Sequence, residues 1–195
     1  MVPSQLSPPL SILVICGATG SGKGTLARGL AARLDGEIVS ADSRKIYRRF
    51  DLGTNKPSPE DRRRIPHLMV DVCAPDEVFT AGRFEERAGT AIREIDARGR
   101  LPIVCGGTGL YLRALLYGII DAPPRDDALR ERLRAEEARA PGSLHRRLEQ
   151  VDPQAASLIP PSDLVRCVRA LEVHVLSGRR ISDMQHDHGF LQPRY

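Results

Sequence analysis

Apolar positions along this chain fall into two periods. Short, nearly unbroken apolar runs at 11–16, 37–40, 67–72 and 101–105 have the length of buried parallel strands. Between them the spacing turns helical. The stretch 26–34 has helical spacing, and 80–98 places Phe84, Ala88, Ala91, Ile92 and Ile95 on one face before Gly99 stops it. A Pro- and charge-rich loop at 53–59 lies between the second and third strands, and Gly106, Gly107, Thr108 and Gly109 turn the fourth strand into a helix over 110–116. Strands alternating with helices predict an α/β fold, a parallel sheet with helices on both faces. The pattern changes near Asp121-Ala122-Pro123-Pro124. Beyond it, 126–139, 143–150, 152–158 and 162–176 read as helices, separated by Pro141-Gly142 and Pro160-Pro161, and nothing but helix is expected to about Met184. The expected division is an α/β core over 1–120, a small all-helical insertion over 121–188, and a return toward the core at 189–195, after a disordered lead-in at the N-terminus.

The first strand and first helix enclose Gly17, Ala18, Thr19, Gly20, Ser21, Gly22, Lys23, Gly24 and Thr25. Strand, GxxxxGK, then helix is a phosphate-cradling loop, which makes the core P-loop NTPase-like. The glycines let successive N–H groups point at one anion, the helix N-terminus adds partial positive charge, and Lys23 adds a full one. The expected ligand is a phosphate or diphosphate. One position departs from the pattern. The Ser or Thr that binds Mg²⁺ in such loops is replaced by Gly24, with the hydroxyl one residue later at Thr25. That order resembles adenylate-kinase-like loops. It counts against direct Mg²⁺ coordination by the protein, with Thr25 as the only candidate, but not against diphosphate binding.

Bulk composition adds less. The 195 residues suit one domain with a sizeable insertion or two small ones, and 41% hydrophobic content suits a globular chain. There is no apolar run of membrane-spanning length and no secretory signal pattern, so the expectation is a cytoplasmic protein. Cys16, Cys73, Cys105 and Cys167 form no CxxC pair and read as reduced core thiols. The net charge of +4 permits a polyanionic partner without requiring one. His186 and His188 read as a surface pair, and Asp71 at a strand end as a weak candidate for water-mediated Mg²⁺ contact.

In parallel α/β sheets, ligands bind beyond the carboxyl ends of the strands. Three such ends carry notable residues: the phosphate loop, Asp42-Ser43-Arg44-Lys45, and Gly106-Gly107-Thr108-Gly109. Taken alone, Asp42 caps a turn and the glycine pair makes one. Placed on the rim that holds a phosphate, Asp42 becomes a candidate general base.

The series 42–47, 53–57, 66–68, 102–115, 151–153, 163–173 and 177–178, in that order, resembles the tRNA dimethylallyltransferase family over nearly the whole chain. The resemblance implies transfer of a dimethylallyl group from dimethylallyl diphosphate to N6 of adenosine 37 in tRNA, with Mg²⁺ as cofactor and the enzyme acting as a monomer. It implies that the phosphate loop cradles the leaving diphosphate. Asp42 would take a proton from the adenine amine or orient it, and Thr108 would hold that amine or the bridging oxygen. Asp42, Thr108, Ser43, Arg44, Lys45, Arg130, Arg166 and Arg169 would touch the tRNA. Without the resemblance, Arg130, Arg166 and Arg169 read as surface or helix-face charges. Members of that family are longer, and the segment after the helical insertion supplies further core strands and an arginine for the diphosphate. Two other readings stay open, a small nucleotide kinase and a catalytically inactive tRNA-binding relative.

Overall fold

The computed structural model describes residues 10–195, so the expected N-terminal lead-in lies outside the described residues. Contacts divide the chain into two units, one running to Gly118 and taking back Gln192–Tyr195, the other Ile119–Leu191.

The first unit alternates strand and helix: β1 (Leu13–Cys16), α1 (Lys23–Arg33), β2 (Gly36–Ala41), α2 (Pro59–Arg64), β3 (His67–Leu68), α3 (Ala81–Ala97), β4 (Leu101–Gly106) and α4 (Gly109–Tyr117). All pairings are parallel, in the order β1-β4-β2-β3. Successive side chains on each strand feed opposite faces. Ile38, Ile103 and Cys105 pack with Ala27 and Ala31 of α1 on one face. Val39 and Val104 pack on the other with Phe84, Ala88, Ile92 and Ile95 of α3 and with Tyr111 and Leu115 of α4. The predicted inward face of α3 is thus the one that is buried, and the α/β expectation of helices on both faces holds. Tyr111 stacks on Phe84 at 4.3 Å between ring centroids. Arg194 brings the C-terminal residues back by pairing with Glu85, and its N–H donates to the Leu116 carbonyl at 2.8 Å.

Three local expectations need correction. The strand read at 67–72 pairs only over His67–Leu68. It breaks because Met69 and Asp71 take left-handed φ of 61° and 59°. The Asp71 carboxylate is turned onto Lys56 Nζ and Arg62 Nη1, each at 2.7 Å. Those pairs hold its carboxyl below the usual carboxylate range, outweighing the burial that raises it, and leave Asp71 committed to two cations rather than to a metal. The loop after Pro57 contains a helix that its charge density concealed. α2 starts on a capping box in which Ser58 Oγ accepts from Asp61 N–H and the Asp61 carboxylate accepts from Ser58 N–H. Cys16, read as a core thiol, is exposed at the end of β1, which forms one edge of the sheet.

The second unit is all helix: α5 (Asp127–Arg139), α6 (Ser143–Val151), α7 (Pro153–Leu158), α8 (Leu164–Ser177) and α9 (Ile181–His188). Asp126, Asp152 and Asp163 cap α5, α7 and α8 with their carboxylates. Leu129, Leu133, Leu144, Leu148, Cys167 and Leu171 form the core. α9 carries helix beyond Met184 because Asp152, already the cap of α7, also accepts from Ser182 N–H at 3.1 Å and Ser182 Oγ at 2.7 Å. His186 and His188 fall in its last turn, exposed and intermediate respectively.

Candidate functional site

The site stands where β1, β2 and β4 end. Cys16 and Ala41 both pair with Gly106, so the three strands deliver the phosphate loop, the Asp42 loop and the Gly106–Gly109 turn to one level. Gly106 is required by packing: a Cβ there would lie 2.0 Å from the Ala41 carbonyl oxygen. That approach carries the chain into a hydrogen bond from Thr108 N–H to Ala41 O at 3.2 Å. Thr108 Oγ1 then accepts from Ser43 N–H at 2.9 Å, lacing the third loop to the second. Thr108 is also the N-cap residue of α4, but its side chain makes no cap bond there. Its oxygen is used across the site instead.

Asp42 does make the capping turn that its residue type suggests. Oδ1 accepts from Arg44 N–H at 2.9 Å and Lys45 N–H at 3.4 Å. Oδ2 has no hydrogen-bond partner among the described residues. The capping bonds therefore orient the carboxylate and leave its second oxygen unused by the turn. The two readings of Asp42 are compatible.

In the phosphate loop, Gly20 and Gly22 adopt φ of 82° and 80°, and Gly22 is the N-cap of α1 without a side chain in the way. Lys23 Nζ donates to its own loop at Ala18 O, 2.9 Å. Gly107 lies alongside: a Cβ there would stand 3.0 Å from Gly17 O and 3.8 Å from Lys23 Nζ. A cavity of about 250 Å³ opens beside the loop, with Gly20, Gly22, Lys23, Gly24, Thr25, Asp42 and Lys45 in its wall.

The cavity wall also holds residues that the sequence did not single out: Arg28, Lys56, Asp61 and His67. Lys56 is nearly buried and donates to Tyr47 O at 2.7 Å, to Asp71 at 2.7 Å and to Asp51 at 3.0 Å. It belonged to the stretch 53–57, but nothing in that pattern says the amine points inward. The His67 ring is held by a 2.7 Å contact of Nδ1 with Ile65 O, and burial pushes its pKa down, so it is neutral near pH 7.

A protein-held Mg²⁺ does not fit the donors of this loop. Gly24 offers no hydroxyl, and Arg28 Nη2 stands 3.5 Å from the Thr25 Oγ1 that follows. Among the described residues no group of three His, Cys, Asp or Glu could hold a metal ion.

The remaining predicted residues lie in the helical unit. Arg130 and Arg169 are engaged internally. Arg130 grips the buried Glu172 through two bonds of 2.7 Å, and Arg169 adds one of 2.6 Å and another to Pro123 O at 3.0 Å. Glu172 also accepts from Asp126 N–H. Burial pushes this carboxyl up, the arginines outweigh it, and the result is a pKa of about 2. Arg166 is more exposed, with Nε bound to the Asp163 cap at 2.6 Å. The structure thus brings Asp42, Ser43, Thr108 and the phosphate loop together in the first unit. It gives Arg130 and Arg169 a bonded role inside the second.

Comparison with known proteins agrees with this architecture. A family model described as IPP transferase matches residues 45–195. The chain is 52% identical over 182 residues to tRNA dimethylallyltransferase 1 of Syntrophotalea carbinolica, covering 93% of this chain and 57% of that protein. It is 53% identical over 185 residues to the tRNA dimethylallyltransferase of Anaeromyxobacter sp. (strain Fw109-5), covering 94% and 61%. The chain therefore spans about three-fifths of the length of these relatives. Among solved structures, a eukaryotic dimethylallyltransferase caught acting on tRNA superposes with a TM-score of 0.76 at 31% identity, over 90% of this chain and 44% of that one. The full-length tRNA isopentenylpyrophosphate transferase of Bacillus halodurans gives 0.57 at 38% identity, over 87% and 56%. A parallel sheet ending in a phosphate loop, an Asp42 turn laced to Thr108, and matches along nearly the whole chain lead to one conclusion: this chain belongs to the IPP transferase family.

Proposed function

We propose that the chain transfers a dimethylallyl group from dimethylallyl diphosphate to N6 of adenosine 37 in tRNA, releasing diphosphate. The observation that carries this reading is the 2.9 Å bond from Ser43 N–H to Thr108 Oγ1, which fixes the Asp42 turn beside the phosphate loop. The names of the relatives support the same reaction, and one neighbour is described as acting on tRNA.

In this reading the phosphate-loop N–H groups and Lys23 bind the diphosphate and take up the negative charge that grows as it leaves. Lys23 leaves Ala18 O to do so. The N6 amine attacks the allylic carbon, a C–N bond forms, and the C–O bond to diphosphate breaks. The nitrogen proton passes to Asp42 Oδ2, the oxygen that the turn does not use. The Thr108 hydroxyl accepts from Ser43 and keeps its own hydrogen to donate to the bridging oxygen or to orient the amine. Ser43, Arg44 and Lys45 line the approach of the RNA, and Arg166 adds a cation from the helical unit, as do the exposed edges of Arg130 and Arg169. The adenosine reaches the carbon only by leaving its stack, at a cost of a few kcal/mol. We read the enzyme as a cytoplasmic monomer; among the described residues no helix is long and apolar enough to cross a membrane.

The test is to supply the purified chain with unmodified tRNA and donor labelled in the dimethylallyl group. Label at N6 of adenosine 37 in a nuclease digest is the expected result. Label absent from tRNA while a nucleoside monophosphate is phosphorylated from ATP would replace this reading with the kinase one.

A further inference from the structure

The phosphate loop lacks its usual hydroxyl at residue 24, and the space is bordered by another group. Gly24 and Arg28 are one turn apart on the same face of α1. Helical side chains lean toward the N-terminus, so a long side chain at 28 extends back over residue 24. Arg28 does so: its Nη1 stands 3.7 Å from where a Cβ on Gly24 would be, and its Nη2 lies 3.5 Å from Thr25 Oγ1. The guanidinium thus borders the place from which a Ser or Thr at 24 would present its hydroxyl.

Arg28 shares the wall of the phosphate-loop cavity with Gly20, Gly22, Lys23 and Lys45. It is loosely held. Its ion pair with Asp61 is a single contact of 3.5 Å, with both side chains about a third exposed at 32%. That is longer than the 2.7–2.9 Å typical of a charge-assisted bond. Asp61 keeps a second partner without it, because its Oδ2 accepts Ser58 N–H at 3.2 Å in the capping box while Arg28 faces Oδ1. A guanidinium is always charged and presents paired donors that match phosphate oxygens. Held by one long contact to a partly exposed carboxylate that water can solvate, it can exchange that partner for a more highly charged one at little cost.

We propose that Arg28 is a diphosphate-binding residue, whose guanidinium supplies the positive charge that a hydroxyl-held Mg²⁺ supplies in ordinary phosphate loops. This rests on the reading above that diphosphate occupies the loop. It assigns the missing charge to a residue that the loop pattern does not include. It also relates Gly24 to Arg28: the loop's hydroxyl is absent at the first, and the guanidinium of the second borders its place.

The test is calorimetric titration of the full chain with inorganic diphosphate, in EDTA and again in Mg²⁺. Wild type is expected to bind in EDTA. Arg28→Met is expected to bind roughly ten- to a hundredfold more weakly there, the loss that one charge-assisted contact produces. Arg28→Lys, which keeps the charge and loses the fork, falls between them. Asp61→Asn frees Arg28 and is expected to bind at least as tightly as wild type. Circular dichroism melts of the variants separate weak binding from poor folding. Equal binding by wild type and Arg28→Met in EDTA overturns the role of Arg28 and leaves the phosphate loop in place. Wild-type binding that requires Mg²⁺ does the same. Diphosphate binding by wild type in neither buffer overturns the loop assignment itself, and this proposal with it.

Discussion

Thr108 Oγ1 accepts the backbone N–H of Ser43 at 2.9 Å, across 65 residues of sequence, and so couples two loops that come from different strands. The Asp42 turn is held from one side by its own capping bonds and from the other by this hydroxyl. Removing the oxygen by Thr108→Val is predicted to cost about 1 kcal/mol of stability, the usual net value of one hydrogen bond. The loss of transfer rate is predicted to be larger, on the order of tenfold to a hundredfold, because small displacements of a reacting group are expensive. Thr108→Ser keeps the oxygen and should recover most of the rate. Steady-state transfer rates together with thermal melts of the two variants check this.

Glycines 106 and 107 do different work, and substitution separates them. Gly106→Ala puts a methyl 2.0 Å from the Ala41 carbonyl and is predicted to break the β2–β4 pairing, so the first unit should melt much earlier or fail to fold. Gly107→Ala meets Gly17 O at 3.0 Å and stays 3.8 Å from Lys23 Nζ. That protein should fold and bind diphosphate more weakly, by roughly tenfold. Calorimetry on both variants distinguishes the two outcomes.

Glu172 is buried and held by Arg130 and Arg169. Arg130→Ala leaves a buried charge short of its main partner and is predicted to destabilise the helical unit by about 3–5 kcal/mol. Because the folded carboxyl titrates near 2, below its ordinary value of 4.5, its contribution is complete above pH 4.5 and is lost as pH falls toward 2. Helix melts in Arg130→Ala should therefore depend less on pH across that window than in wild type. Loss of tRNA binding by this variant, if the helical unit stays folded, would point to a direct contact as well.

Lys56 is almost fully buried between Tyr47 O and Asp71. Lys56→Met removes one of the two cations on Asp71 and leaves Arg62 as the other. The prediction is a loss of about 2 kcal/mol, less than for a charge stranded alone, and an earlier melt of the first unit. Addition of Asp71→Asn to Lys56→Met should recover part of the loss, which a double-mutant cycle measures.

Much of this was legible because the signals were periodic or local. The strand and helix alternation, the inward face of α3, the phosphate loop and the capped helices all rest on spacing within a short window. The misses arose where distant groups overrode that window. Lys56 and Arg62 turn Asp71 away from the sheet and end β3 early. Asp152 reaches Ser182, 30 residues on, and anchors a helix that runs past the expected end near Met184 to His188. Arg28 belongs to no motif, and nothing in a short window says that its side chain borders the cavity. Asp42 was legible as a residue type at a strand end, but the sequence gives no sign that its capping bonds use only one of its two oxygens.

The central claim is that Asp42 acts on the amine with the oxygen its turn leaves over. Asp42→Asn tests it most directly, because Asn retains an Oδ1 that accepts from Arg44 N–H and Lys45 N–H while losing the basic carboxylate. Single-turnover transfer to tRNA would be measured beside separate binding titrations of tRNA and diphosphate. The account predicts transfer slowed by roughly a hundredfold or more, with both binding constants near wild type. Transfer at the wild-type rate by Asp42→Asn would contradict it and reduce Asp42 to the cap of its turn.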